Sequence, residues 1–213
     1  MAKFVTLEEA ASLIKDKDTL ISEGFMLHNF PAELIKALSQ RFEKTGSPKA
    51  ITLIYAAGEG AGANTGLDFL AREGLLKRVI AGHWNLSPNL GKLAVENKIE
   101  AYNLPQGTIA QLYRDMAAGK VGTVTHVGLK TFVDPRLDGG KLNSVTKEDI
   151  VELVTLGGKE QLFYKSQKAT CCFLRGSYAD EKGNISLEKE GVTLGGVSIA
   201  QAVKRNGGTV IVQ

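Results

Sequence analysis

Residues 50–64 read AITLIYAAGEGAGAN, and the change of character within this stretch indicates the class of fold. Positions 50–57 are mostly β-branched, aromatic or small apolar residues, which is typical of a strand buried on both faces. Glycines at 58, 60 and 62 predict that the chain turns at the carboxyl end of that strand. A helix is predicted next, around Gly66–Gly74. Strand, glycine-rich turn and helix in this order indicate an α/β fold.

The same alternation extends in both directions from this stretch. Thr6–Glu9 has the pattern of a capping box, which marks the start of a helix. Pro31 suits the first position of the next helix, and Ser87 and Thr108 are expected N-caps of later ones. The predicted strands are residues 18–22, 50–57, 78–81, 99–103 and 121–127, and the predicted helices include 7–14, 31–42, 87–97 and 108–118. Helices between successive strands predict a largely parallel sheet with helices on both faces.

The last third of the chain has a different pattern, in which strands are more frequent than helices. Residues 150–156 and 161–164 are joined by Gly157-Gly158, which predicts a β-hairpin. After a loop at 128–143, the other expected elements are strands at 171–175, 184–187 and 209–212 and a helix at 197–204. We therefore predict one α/β domain over residues 1–213 with a smaller β-rich C-terminal part. The final TVIVQ reads as a core strand, so we expect further sequence or a second chain to cover it.

Composition argues against several classes of function. Lys plus Arg number 26 against 23 Asp plus Glu, and no basic run is interleaved with aromatics, so nucleic-acid binding is not expected. No apolar run approaches the roughly 20 residues that span a bilayer, and the N-terminal sequence does not have the pattern of a signal peptide. Cys171 and Cys172 are adjacent, and a disulfide between neighbours in a strand is strained. We predict reduced thiols in a cytoplasmic protein, and no metal site.

Candidate site residues lie where the predicted strands end, because open α/β sheets bind ligands beyond the carboxyl ends of their strands. The N–H groups of Gly24 and Phe25 would stabilise an oxyanion during acyl transfer if they point into a cleft. The spacing is equally consistent with Gly24 as a turn glycine. Gln106-Gly107 follows another strand end, and on sequence alone it also fits the ordinary start of a helix.

Other polar residues give weaker signals. Gly58–Gly62 fits neither the dinucleotide-binding motif nor a phosphate-binding loop with Lys and Ser/Thr. The three histidines are too widely spaced to suggest a metal triad. Glu23 and Glu59 are carboxylates at strand ends beside glycines, so each is a candidate general base or nucleophile. For Glu59 we expect an exposed position in a loop instead, and for Glu23 both interpretations stay open. These residues alone name no reaction.

Several stretches of the chain together resemble one enzyme family. Residues 18–25, DTLISEGF, followed by Pro31-Ala32-Glu33, resemble the N-terminal signature of family I coenzyme A transferases. Stretches similar to the acetate and propionate CoA-transferase branch are AGHW (81–84) with Pro88, ENKIEAYNLPQG (96–107), VGLKTFVDPR (127–136), TKED (146–149) and RGSYADEKGN (175–184). The resemblance covers essentially the whole chain in order. It implies the CoA-transferase fold, which sugar-phosphate isomerases share.

The resemblance also implies a reaction, a ping-pong transfer of CoA between short-chain carboxylic acids, with acyl-CoA as substrate and no other cofactor. In the family a glutamate attacks the acyl-CoA, and CoA is carried as a glutamyl thioester before it passes to the incoming acid. The active site lies between two similar halves, and the nucleophilic glutamate belongs to the second. This chain matches the first half. It is therefore expected to be inactive alone, to require a C-terminal half, fused or separate, and to form an oligomer.

The resemblance assigns to this chain the wall of the site opposite the nucleophile. Gly24 and Phe25 match a Gly-Phe turn where a backbone N–H helps to stabilise the oxyanion. Gln106 matches a glutamine that reaches toward the reactive carboxylate. The substrate-binding residues implied in the same way are Ala57, Gly58, Glu59, Gly107, Gly128 and Thr131.

Departures from the family pattern leave the preferred acid open. Many relatives have glycine at the positions of Glu23 and Asn29, and glycine is common at the position of Lys130. The alternative function is a non-catalytic ligand-binding or regulatory domain, which rests on fold analogy alone. A sugar-phosphate isomerase is disfavoured because the sequence shows no phosphate-binding Ser/Thr-Gly cluster.

Overall fold

The computed structural model describes residues 2–213 and is built around a six-stranded parallel sheet. The strands are β1 Thr19–Ser22, β2 Ile51–Tyr55, β3 Leu76–Ala81, β4 Glu100–Asn103, β5 Gly122–Thr125, β6 Val151–Leu156, β7 Lys159–Lys165, β8 Cys171–Leu174, β9 Tyr178–Ala179, β10 Ile185–Ser186 and β11 Thr209–Val212. The helices are α1 Leu7–Ser12, α2 Ala32–Thr45, α3 Pro88–Val95, α4 Gln106–Ala117 and α5 Gly196–Arg205, with a 3-10 helix at Gly66–Leu70. The parallel sheet runs in the order β11-β8-β1-β2-β3-β4. The predicted α/β class is confirmed.

Two separate apolar cores cover the two faces of the parallel sheet. Adjacent residues on a strand point to opposite faces, so each central strand contributes to both cores. Leu20, Leu53, Val79 and Ala101 pack with α1, α2 and α3, while Ile21, Ile54, Ile80 and Tyr102 pack with α4, α5 and the second sheet. This doubled burial explains why the strands read as continuous apolar runs. The prediction of helices on both faces is confirmed.

The strands of the C-terminal third divide among three sheets, of which β9 and β10 form a small antiparallel pair. The strands β5, β7 and β6 form an antiparallel sheet, and the predicted turn at Gly157-Gly158 has positive φ at both residues, as a tight hairpin requires. The strands β8 and β11 instead join the parallel sheet beside β1. All four residues of β8 are buried, which fits a strand inside a sheet. The predicted β-rich part is thus present, and two of its strands extend the main sheet.

Helix starts differ from the sequence prediction in three places. Pro31 is the N-cap of α2 and not its first residue. Ser87 occupies the N-cap position of α3 without a side-chain bond. The buried carboxylate of Asp68 caps this helix instead, since it accepts from the Asn89 N–H at 2.7 Å and the Leu90 N–H at 3.2 Å. Thr108 lies inside α4, which begins at Gln106 after Pro105.

The capping box at Thr6–Glu9 is confirmed, with both reciprocal bonds present. The helix expected at Gly66–Gly74 is a shorter 3-10 helix, Gly66–Leu70. Over residues 2–213, every helix is too short or too polar to traverse a lipid bilayer.

Candidate active site

A cleft of about 360 Å³ opens beyond the carboxyl ends of β1 and β2, where the sheet topology predicts a ligand site. Residues of the loops after both strands, of α4 and of the segment before α5 form its walls. They are Ser22, Glu23, Gly24, Ala56, Ala57, Glu59, Gln106, Gly107, Ala110, Tyr113, Arg114, Thr193, Leu194 and Gly195. The cleft therefore collects residues that are far apart in sequence into one polar, glycine-lined space.

Gln106 reaches this cleft because Gly82 lets three segments approach closely. Gly82 directly follows β3, and its N–H donates to the carbonyl of Tyr55 on β2 at 3.2 Å. A Cβ at Gly82 would lie 2.1 Å from the carbonyl oxygen of Ala56 and 3.0 Å from the Cα of Gln106. Only glycine permits this approach. The start of α4 is therefore held against the end of β2.

The loops after β1 and β2 are bonded to each other through one residue. The Met26 N–H donates to the Gly58 carbonyl at 2.7 Å, and the Gly60 N–H donates to the Met26 carbonyl at 2.8 Å. The Phe25 N–H donates to the carbonyl of His28 at 3.0 Å, and the Phe25 side chain is exposed. Of the predicted Gly-Phe pair, Gly24 lines the cleft, whereas the Phe25 amide is bonded within its own loop.

Glu59 is buried, so the expectation of an exposed loop acid is wrong. Its residue is 1% exposed, and its Oε2 accepts from the Ser22 hydroxyl at 2.5 Å. Its Oε1 has no hydrogen-bond partner among residues 2–213. Burial raises the pKa of Glu59 well above its usual value, and the nearby charge of Glu23 raises it further. Glu59 is buried because the loop after β2 folds back onto the end of β1. The local sequence does not predict this contact.

Glu23 occupies the cleft next to the start of α5. Its carboxylate accepts from the Gly195 N–H and packs against Gly195 and Gly196, where a Cβ would lie 3.1 and 2.8 Å from its oxygens. Burial raises the pKa of Glu23 to about 7. No basic side chain within residues 2–213 forms an ion pair with it. A carboxyl in this setting is partly protonated at neutral pH.

The remaining predicted positions divide between the cleft and other places. Ala57 and Gly107 line the cleft. Gly58 packs against the loop after β3, because a Cβ there would lie 2.5 Å from the His83 ring. Gly128 and Thr131 lie outside the cleft lining, in a loop beside the antiparallel sheet, where the Thr131 hydroxyl donates to the Gly128 carbonyl at 2.7 Å.

Sequence reasoning missed two parts of the lining. Tyr113 is 3% exposed, and its hydroxyl has no partner among residues 2–213. The spacing of Ile109 and Tyr113 on one face of α4 predicts that this tyrosine points inward. Thr193–Gly195 has no comparable local sequence pattern. This segment lines the cleft only because the following helix, α5, packs against the sheet.

The structure places no group of three or more His, Cys, Asp or Glu side chains where it could bind a metal, as far as residues 2–213 extend. Cys171 and Cys172 are both free and buried, and burial raises the pKa of the Cys172 thiol to about 12. Their side chains serve the two cores on opposite faces of β8.

Glu23 gives the stability of the fold a pH dependence of defined sign. Because its pKa of about 7 in the folded chain lies above the ordinary 4.5, the folded state binds the proton more tightly. Stability therefore falls as pH rises from about 4.5 to about 7, and Glu59 acts in the same direction. Glu23→Gln is expected to reduce the loss of stability across this window by up to about 3 kcal/mol.

Urea unfolding at about pH 5 and about pH 8 measures this effect. Glu181→Gln, at an exposed turn, is the control and is expected to leave the pH dependence unchanged. An unaltered dependence in Glu23→Gln would show that the Glu23 carboxyl does not titrate as a buried group.

Comparison with known proteins identifies the family whose members share this sequence and fold. The sequence profile of the family described as Coenzyme A transferase matches residues 4–212. A caffeate CoA-transferase from Acetobacterium woodii is 44% identical over 213 residues, which is 100% of this chain and 41% of that protein. The crystal structure of the acyl-CoA transferase YdiF from Escherichia coli O157:H7, a thioester complex with CoA, matches with a TM-score of 0.96 and 41% identity, over 98% of this chain and 41% of that chain.

A shorter relative is the acetate CoA-transferase subunit alpha of Escherichia coli K12, which is 28% identical over 186 residues, 87% of this chain and 75% of the subunit. This chain thus spans about two fifths of the two longer relatives. The resemblance noted from its sequence motifs is confirmed by the family profile, which extends over nearly its whole length. The chain belongs to the coenzyme A transferase family.

Proposed function

We propose that this chain is the N-terminal half of a transferase that moves CoA between short-chain carboxylic acids of the acetate and propionate type. The observation that carries the proposal is the meeting of Gly24 and Gln106 in one cleft at the carboxyl edge of the sheet. The resemblance had assigned both to the wall that faces the reacting carbonyl. Ala57, Glu59 and Gly107 line the same cleft and form its acyl-binding part.

In the proposed reaction a glutamate of the C-terminal half attacks the thioester carbonyl of an acyl-CoA. Negative charge develops on the carbonyl oxygen before the CoA thiolate leaves, and the acyl group remains on the glutamate as an anhydride. The thiolate then attacks the glutamyl carbonyl, which releases the first acid and leaves the glutamyl thioester. The incoming acid reverses these steps and departs as a new acyl-CoA.

The residues of this chain act on the developing charge. The amide of Gln106 and the N–H of Gly24 are hydrogen-bond donors at the cleft wall, and donors fixed in advance stabilise an oxyanion strongly where water is excluded. Because Gly82 holds the first residue of α4 in place, the Gln106 backbone does not need to reorganise during the reaction.

Glu23 and Glu59 do not suit the role of the nucleophile. Burial raises the pKa of both, and the value of about 7 for Glu23 leaves its carboxyl partly protonated at neutral pH. A protonated carboxyl is a poor nucleophile, and Glu59 is in addition bonded to Ser22 at 2.5 Å. These features support a nucleophile that comes from elsewhere in the enzyme.

The surface beside the cleft suits a second half. Phe25, Met26 and Leu27 form an apolar loop tip at the end of β1, with 44%, 42% and 51% of their surfaces exposed. An exposed apolar cluster of this kind is typical of an interaction surface. We propose that a C-terminal half, fused or separate, covers it and completes an oligomeric cytoplasmic enzyme that uses CoA as substrate and needs no other cofactor.

Removal of the Gln106 amide tests this function. In the completed enzyme, meaning this chain together with a C-terminal half, Gln106→Ala is expected to lower kcat/KM for transfer from propionyl-CoA to acetate by about 100-fold, mainly through kcat. Steady-state kinetics measure the loss. Gln40→Ala, on the exposed face of α2, is the control and should keep full activity. An unchanged rate in Gln106→Ala would favour a ligand-binding module instead.

A further inference from the structure

We infer that Glu23 determines acyl specificity by rejecting acyl groups that carry a second carboxylate. The inference rests on the proposed function, because it assigns the acyl group to the cleft that this side chain lines. It goes further by naming the class of acid that the enzyme excludes and the residue responsible.

Glu23 belongs to the buried polar wall of the cleft. Its residue is 7% exposed, and no basic side chain within residues 2–213 forms an ion pair with it. A second carboxylate on the substrate would lie beside the Glu23 carboxyl and would lose its own hydration.

The basic side chains near the cleft are poorly placed to neutralise a second carboxylate on the substrate. Arg114 is the one basic residue in the lining of the cleft as the structure describes it, and its side chain is exposed, which places it at the mouth. It makes no ion pair with Glu23. When Glu23 is ionised, a negative group deep in the cleft would therefore lie beside a like charge and remain distant from its counter-ion. Placing like charges together in this way costs several kcal/mol.

Protonation sets the strength of this rejection. The titratable or charged groups that face Glu23 are Glu59 from the loop after β2, Tyr113 and Arg114 from α4, and Cys172 from β8. Burial keeps the Tyr113 and Cys172 side chains neutral at physiological pH, since it raises the pKa of each. Glu23, with a pKa of about 7, is the group whose charge changes in the working range. Rejection of a second carboxylate should therefore increase as pH rises through about 7.

The test compares two acyl-CoA donors of equal chain length in the completed enzyme. Butyryl-CoA ends in a methyl group, whereas succinyl-CoA ends in a carboxylate. Wild-type kcat/KM is expected to favour butyryl-CoA by about 100-fold at a pH above 7. Glu23→Gln keeps the size of the side chain and an acceptor for Gly195, and it should reduce this preference about 10-fold. The preference in this variant should also lose its dependence on pH.

Matched variants separate the outcomes. Glu181→Gln, at an exposed turn, should leave the preference at the wild-type value. Equal use of both donors by the wild type, or a preference unaffected by Glu23→Gln, would overturn the inference while leaving the proposed function intact. So would a preference for succinyl-CoA that Arg114→Ala abolishes. Absence of transfer from both donors and also from propionyl-CoA would overturn the proposed function and the inference with it.

Discussion

Alone, the 213-residue chain is expected to transfer no CoA from propionyl-CoA to acetate, and addition of a C-terminal half should restore turnover. The expectation follows from the cleft, whose two glutamates are buried and have raised pKa values. Without a nucleophilic carboxylate, donors such as Gln106 have no tetrahedral intermediate to stabilise. Loss of covalent catalysis removes most of the rate, so the difference should exceed about 1,000-fold.

The measurement is the formation of labelled acetyl-CoA with each half alone and with both mixed. A C-terminal half with its glutamate changed to Gln is the control for assembly, because it should bind this chain without restoring activity. Robust turnover by the isolated chain would contradict the division of the site between two halves.

Gly82→Ala is expected to lower the free energy of unfolding by about 3 kcal/mol and to abolish most of the activity of the completed enzyme. The added methyl group would lie 2.1 Å from the Ala56 carbonyl oxygen, a backbone atom that cannot turn aside. Either β2 and β3 separate beyond their ends, or the first turn of α4 moves. Both changes displace Gln106 from the cleft.

Gly91→Ala is the matched control for this substitution. Gly91 lies within α3, and a Cβ there would have no heavy atom within 4 Å. Alanine has the higher helix propensity, so this variant should be more stable by about 0.5 to 1 kcal/mol. Urea unfolding of both variants tests the comparison. A Gly82→Ala variant as stable and active as wild type would show that the close approach at Gly82 is not needed to position Gln106.

The sequence predicts the sheet well because burial on both faces leaves a strong local pattern. The strand at 209–212 and the hairpin around Gly157-Gly158 are found where they are expected. Helix ends were predicted less well, since their caps come from distant parts of the chain. Asp68 caps α3 from the preceding 3-10 helix, and no local pattern distinguishes it from an ordinary surface acid.

The cleft was predictable only in part. Parallel strand ends meet at one edge, so Gly24, Ala57 and Gln106 are expected to be neighbours, and all three line the cleft. The burial of Glu59 was not predictable, because it depends on a loop that folds back onto the end of β1.

The role of Thr193–Gly195 depends on the path of the chain after β8. Residues that reach the cleft only because a distant part of the chain folds back onto the sheet therefore leave no periodic signal in the sequence.

The most direct test of the central claim is to find which half carries the CoA adduct. The two halves, mixed as separate chains with propionyl-CoA and no acceptor acid, would be quenched and weighed by intact-mass spectrometry. We expect an added mass of CoA on the C-terminal half and an unmodified mass for this chain. A CoA thioester on Glu23 or Glu59 of this chain would contradict the account.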